Sequence, residues 1–206
     1  MIFDIDGTLV DSVGLIIDCY QYGFRTVLGH EWDEAEIRTW IGASLVDSLQ
    51  RVCPEHADEL FQRYVEWNAA HCTSMRAYPG IPELAGALVA AGVRLGVVTS
   101  KRQEPAVQSL ALGGLTQAVT VIVSHDDTTA HKPDPEPLLL AVERLGCAVS
   151  DAVYVGDSLM DVQAAQAAGL DCVAVTWGAG EETALRAAGP TAVCDTVDAL
   201  RGLLLG

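Results

Sequence analysis

The sequence predicts an α/β fold: a doubly wound parallel sheet, strand order 3-2-1-4-5, with an all-helical subdomain inserted after the first strand. Three observations predict it. From Tyr78 onward short β-branched runs alternate with helical segments, the pattern of strand and helix units that build a parallel sheet covered on both faces. Residues 13 to 77 show no strand pattern and carry apolar residues at helical spacing instead. The opening run, MIFDI, ends in two aspartates spaced i, i+2 at Asp4 and Asp6, and open α/β sheets place their ligands at strand carboxyl ends.

Taken in order, MIFDI is the first strand. VGLIIDCYQYGFRTVL, ASLVDSLQRV and ADELFQRYVEWNAA are the helices of the insertion, which Gly14 and Pro79-Gly80 bound. PGIPELAGALVAAG resumes the alternation as a helix, with Gly92 ahead of the second strand, VRLGVVTS. VTVIVS, AVYVGD, DCVAVTW and TAVC follow as further short strands. Gly146 after AVERL and Gly169 after LMDVQAAQAA stand where a left-handed glycine ends a helix. Residues 1–12 and 79–206 therefore form the core and residues 13–78 the helical subdomain.

The chain has 206 residues, half of them hydrophobic, enough to bury a sizeable core and one subdomain. Its formal charge of −16, from 28 acidic and 12 basic residues, argues against nucleic acid and acidic membrane surfaces as partners, since both need basic patches. The first ten residues carry acids rather than a basic region, and the longest apolar stretch is broken by Pro82, Glu83 and Arg94. A cytoplasmic protein, monomer or homodimer, is expected. The six cysteines show no C-x-x-C spacing and are expected to be reduced, mostly buried thiols.

In the 3-2-1-4-5 order the first and fourth strands lie side by side at the switch point. Their ends, FDIDGT and YVGDSLMD, bring Asp4 and Asp6 to face Asp157 and Asp161 across one cleft. Like charges that close repel unless a cation sits between them. Several oxygen ligands at one point suit Mg²⁺, which takes one or two carboxylates and completes its octahedron with water and phosphate. Ser158 is the expected N-cap of the helix that follows. Only two of the twelve basic residues are lysines, Lys101 and Lys132, and Lys132 stands just before Pro133.

These residues resemble the haloacid dehalogenase superfamily of phosphohydrolases, in the branch with a helical cap inserted after the first strand. The resemblance spans essentially the whole chain. It rests on Asp4-Ile5-Asp6-Gly7-Thr8-Leu9, Thr99 of VVTSK, Lys132 of HKPDPEP, and Gly156-Asp157-Ser158-Leu159-Met160-Asp161, in that order. It implies a Rossmann-like catalytic core in which Asp4 is the nucleophile that forms an aspartyl-phosphate and Asp6 is the acid and then the base. It further implies that Thr99, Ser100 and Lys132 hold the phosphate. Asp4, Asp6 through its backbone carbonyl, and Asp157 would bind Mg²⁺, with Asp161 behind them. A second aspartate at position 6 favours phosphoryl transfer over dehalogenation.

The stretches WIGASLVDSL, YVEWNAAHC, AYPGIPEL and DDTTAHKPDPEPLLLAV are similar to phosphoglycolate phosphatases and to the pyrophosphatases of the same branch, with Ala43 and Ser44 where those relatives commonly carry prolines. The implied activity is a Mg²⁺-dependent phosphomonoesterase on a small phosphorylated metabolite. Phosphoglycolate comes first, then pyrophosphate, then a sugar-phosphate mutase, then a non-catalytic phosphate-binding protein. The cap has no lysine, which disfavours a phosphonate hydrolase. Its arginines (Arg25, Arg38, Arg51, Arg63 and Arg76) and His71 are the possible substrate readers, each with solvated or local roles as the commoner alternative. Closure of the cap is expected on hinges near residues 12–14 and 77–80.

Overall fold

Strand β1 (Ile2–Phe3) lies at the centre of a parallel sheet in the computed structural model, which describes residues 1–206. The next two strands, β2 (Val10–Asp11) and β3 (Arg76–Ala77), form a separate antiparallel ladder. The main sheet continues with β4 (Leu95–Val98), β5 (Val119–Val123), β6 (Val153–Gly156), β7 (Asp171–Val175) and β8 (Ala192–Cys194). Its order is β5-β4-β1-β6-β7-β8, which is 3-2-1-4-5 with TAVC added as a sixth strand at the outer edge.

β1 pairs with β4 through Ile2↔Gly96 and Phe3↔Val97, and with β6 through Ile2↔Tyr154 and Phe3↔Val155. Side chains alternate across a strand, so Phe3 joins the apolar cluster on one face, with Leu84, Leu88 and Leu110. Ile2 joins the cluster on the other face, with Leu138, Val162 and Leu185. A sheet buried on both faces explains why its strands read as continuous β-branched runs.

The insertion carries four helices: α1 (Val13–Leu28), α2 (Glu34–Arg38), α3 (Leu45–Val52) and α4 (Ala57–His71). It has its own core, including Ile17, Phe24, Ile37, Leu49 and Leu60. Tyr20 meets Trp40 and Tyr64 edge to face at centroid distances of 5.5 and 5.1 Å, a favoured aromatic geometry. The sheet is flanked by α5 (Ile81–Ala90), α6 (Gln103–Leu112), α7 (Glu136–Leu145), α8 (Leu159–Ala168), α9 (Glu182–Ala187) and α10 (Val197–Leu205).

One expectation is corrected. Residues 76–77 are a strand, not helix or loop: Val10 pairs with Ala77 and Asp11 with Arg76, and Tyr78 N–H donates to the Leu9 carbonyl at 3.1 Å. The ladder ties together the two chain segments that enter and leave the insertion. Two residues are too few for an alternating pattern to register in sequence. All six cysteines are free thiols, and Cys19, Cys72, Cys172 and Cys194 are buried. No helix is long and apolar enough to cross a membrane.

Candidate active site

Asp4, Thr99 and Asp157 are each the first residue after a strand, following β1, β4 and β6. Since these strands are adjacent and in register, their next residues come together at one sheet edge. The Asp4 backbone N–H donates to the Val155 carbonyl at 2.8 Å, which holds Asp4 in line with the sheet. Asp4, Thr99, Asp157 and Asp161 are all buried.

Lys132 arrives from the loop between β5 and α7. Its side chain is 1% exposed, and its Nζ lies 2.7 Å from Asp161 Oδ1 and 3.1 Å from Asp4 Oδ1. The ammonium also donates to the Tyr154 hydroxyl at 3.3 Å, and that hydroxyl donates to Asp161 Oδ1 at 2.8 Å. Asp161 Oδ2 accepts from the Ser158 backbone N–H at 2.9 Å and the Ser158 hydroxyl at 2.6 Å. Ser158 and Asp161 thereby complete a reciprocal cap at the start of α8. Burial alone would lower the Lys132 pKa, but Asp161 and Asp4 together raise it. Burial works against ionised Asp161, and Lys132 and the surrounding donors outweigh it, leaving that carboxyl below its ordinary range.

Asp157 is held differently. Its Oδ1 accepts from the Thr8 hydroxyl at 2.7 Å and its Oδ2 from the Ala179 N–H at 2.7 Å. Glycines surround this carboxylate because nothing larger fits: a Cβ on Gly178 would stand 2.1 Å from Oδ2, and one on Gly7 2.3 Å away. Gly7 also needs its φ of 75° to turn the chain after Asp6. Asp157 is pushed up to about 7 by burial and by Asp161. Asp4 is raised by burial, with Lys132 opposing and the other three aspartates adding to the rise.

Asp6 faces the other way, toward the insertion. Its Oδ1 accepts from Ser12 Oγ at 2.5 Å and from Lys101 Nζ at 2.5 Å. Ser12 stands at the N-cap position of α1, yet its hydroxyl serves Asp6 and not the helix. Ser100 donates to the Gly42 carbonyl at 2.6 Å, which ties the loop after β4 to the insertion. Gly42 lies so close to the sheet edge that a Cβ there would be 2.5 Å from Ser158 Oγ. Thr99 Oγ1 accepts from the Lys101 N–H at 3.2 Å.

Several of these contacts escaped the sequence. Tyr154 reads as a strand residue, and only its place three residues before Asp157 hints at more. Thr8 stood within the first motif with no role assigned to it, and the Gly178-Ala179-Gly180 loop gave no signal beyond composition. Lys101 had one, being half of the lysine complement. His71, by contrast, is an exposed helix-face residue: its Nδ1 lies 2.8 Å from the Trp67 carbonyl and its ring stacks on Trp67 at 4.0 Å.

The donor set fits a hard divalent ion. Asp4, Asp157 and Asp161 present carboxylate oxygens within 4.8 Å of one another, and Lys132 is the ammonium that faces them. Three buried carboxylates against one cation leave a deficit of positive charge. With Asp161 already supplied by Lys132, Tyr154 and Ser158, Asp4 and Asp157 are the carboxylates best placed to hold such an ion.

Removing the Tyr154 hydroxyl tests how far it positions Lys132. Tyr154→Phe is expected to lower kcat about 3- to 10-fold at unchanged KM, and to cost roughly 1–3 kcal/mol in urea unfolding, the range for hydrogen bonds to charged groups. A stability loss with kcat intact would show that the hydroxyl only holds the fold.

The sequence model of a family described as haloacid dehalogenase-like hydrolase matches residues 1–175. This chain belongs to that family. Among the relatives of this haloacid dehalogenase-like hydrolase, the pyrophosphatase PpaX of Bacillus pumilus is 34% identical over 186 residues, covering 90% of this chain and 86% of the relative. The PpaX of Bacillus cereus is 30% identical over 205 residues, 99% of this chain and 95% of the relative. Among solved structures, a hydrolase from Pseudomonas syringae superposes with a TM-score of 0.89 at 26% identity, covering 98% of this chain and 96% of that one. A Lactobacillus plantarum protein described as a candidate phosphoglycolate phosphatase superposes with a TM-score of 0.86 at 28% identity, over 100% and 97% of the two chains.

Proposed function

We propose that this haloacid dehalogenase-like hydrolase is a Mg²⁺-dependent phosphomonoesterase that works through an aspartyl-phosphate on Asp4. The observation that carries the reading is the ammonium of Lys132 set 3.1 Å from the Asp4 carboxylate at the edge of the sheet, with Asp6, Thr99 and Asp157 around it. An Asp4 oxygen attacks phosphorus in line, the bond from phosphorus to the substrate oxygen breaks, and Asp6 gives that oxygen its proton. Asp6 then takes a proton from water, the water oxygen attacks phosphorus, and the Asp4–phosphorus bond breaks to release phosphate. Lys132 and Thr99 offset charge on the phosphoryl oxygens, where a loose transition state concentrates it. Asp161, fixed by Ser158 and Tyr154, holds Lys132 toward Asp4.

Mg²⁺, held by Asp4 and Asp157, would shield the two anions that must approach each other. The relatives named pyrophosphatase and the fold neighbour described as a candidate phosphoglycolate phosphatase support a small phosphorylated substrate. EDTA is expected to abolish phosphate release and added Mg²⁺ to restore it. Hydrolysis that persists at full rate in EDTA would sink the mechanism. The substrate comparison is phosphate release from 2-phosphoglycolate and pyrophosphate side by side.

A further inference from the structure

Between the strand ends and the insertion lies a cavity of about 180 Å³. Its floor is polar, with Asp4, Asp6, Thr99 and Lys101. The wall above it is not: Ile16, Leu45, Val46, Phe61, Tyr64 and Val65 line it, and Asn68 is the single amide. A phosphoryl group seated on the floor would leave its leaving group against this wall.

A second anion there would give up part of its hydration against apolar side chains, a loss that only a cation on the lining would offset. The insertion supplies none to the cavity. Arg25 pairs with Glu31, Arg38 with Glu34 and Arg63 with Glu66, while Arg76 donates to the Thr73 and Met75 carbonyls. None of these arginines lines the cavity, nor does Arg51. On the core side Lys101 is already against Asp6. Arg102 is the one arginine on the cavity lining, and it lies at the rim: its side chain is 62% exposed, with Asp126 at 3.8 Å, so its charge is solvated and screened. His125 is lowered by burial and by the His131 ring stacked on it at 3.8 Å, both of which disfavour its cationic form.

We propose that the alcohol released by this enzyme is uncharged and largely apolar, an aryl or branched alkyl group packed against Phe61, Tyr64 and Val65, in place of glycolate or phosphate. The inference rests on the phosphomonoesterase reading above and specifies its substrate class. The chemistry is unchanged: the ester oxygen leaves phosphorus and takes its proton from Asp6. What differs is the source of selectivity, which becomes removal of apolar surface from water instead of ion pairing.

The test compares benzyl phosphate, whose alcohol is not an activated leaving group, with 2-phosphoglycolate and pyrophosphate under the same Mg²⁺, with Asp4→Asn as the blank. Benzyl phosphate is expected to show kcat/KM at least about 10-fold above either anion, mainly through a lower KM. Val65→Arg places a cation on the wall at a residue already 44% exposed, so folding should survive. It is expected to raise kcat/KM for 2-phosphoglycolate about 10-fold and to lower it for benzyl phosphate. Equal rates on all three substrates, or a preference for either anion in the parent protein, would overturn the substrate class while leaving the phosphatase intact. No Mg²⁺-dependent release above the Asp4→Asn blank from any of the three would overturn the phosphatase reading itself.

Discussion

Asp4→Asn is expected to lower phosphate release by about 10⁴-fold or more, the scale seen when a covalent nucleophile is removed, and to leave the protein folded and at least as stable as the parent. The two halves of this result have separate causes. Asparagine has the shape of aspartate, and its carboxamide oxygen can still face Lys132, so the sheet edge keeps its packing. Asparagine cannot attack phosphorus as an anion, so the first step is lost. Asp4 sits among Asp6, Asp157 and Asp161, all of which disfavour its charge, and removing that charge relieves repulsion among buried carboxylates. The thermal midpoint of the variant in EDTA should therefore equal or exceed that of the parent. Beryllium fluoride should form its adduct on Asp4 in the parent and form none in the variant. Activity near the parent level would show that another group is the nucleophile.

The sheet was legible because burial on both faces writes each strand as a run of Val, Ile and Leu. VRLGVVTS, AVYVGD and DCVAVTW could be read without ambiguity, and the doubly wound order followed from the way strand and helix alternate. The β2/β3 ladder was not legible. Val10-Asp11 and Arg76-Ala77 are two residues each, and their pairing joins segments some 65 positions apart in numbering, which no local pattern encodes. The same limit applies to the insertion: its helices have amphipathic signatures, but the meeting of Tyr20, Trp40 and Tyr64 is a tertiary fact.

At the site, the residues that end strands could be named, because strand ends converge by topology. Of the residues that hold them in place, Ser158 and Asp161 could be named, but the contacts made by Tyr154, Thr8 and Lys101 could not. Tyr154 lies inside β6 with its side chain directed away from Phe3's face, and its hydroxyl reaches Asp161 only because no more than two residues separate the end of the strand from the start of α8. Thr8 reaches Asp157 across 149 positions of sequence. Ser100 and Lys101 are neighbours, yet one hydroxyl goes to Gly42 and the other side chain to Asp6. Which neighbour faces which wall depends on the turn after β4, and the sequence does not specify that turn.

Lys132→Met is expected to be the most destabilising single change at the site as well as an inactivating one. Methionine fits the volume but removes the ammonium between Asp4 and Asp161, and both carboxylates are buried. Breaking a buried ion pair from one side costs about 3–5 kcal/mol, because the remaining charge is left without a partner. At 2–4 °C per kcal/mol for a chain of this size, the thermal midpoint should fall by roughly 6–20 °C. Turnover should be lost at temperatures where circular dichroism still shows the parent fold, because the phosphoryl oxygens then meet no ammonium. Adding Asp161→Asn to Lys132→Met removes the most enclosed of the stranded charges, and it should return part of the lost stability and none of the activity. If the double variant instead unfolds further, the cost lies in lost packing around Ser158 and Tyr154 rather than in charge. A single variant as stable as the parent would mean that Asp4 and Asp161 are not held ionised by Lys132, and the electrostatic account of the site would have to be abandoned.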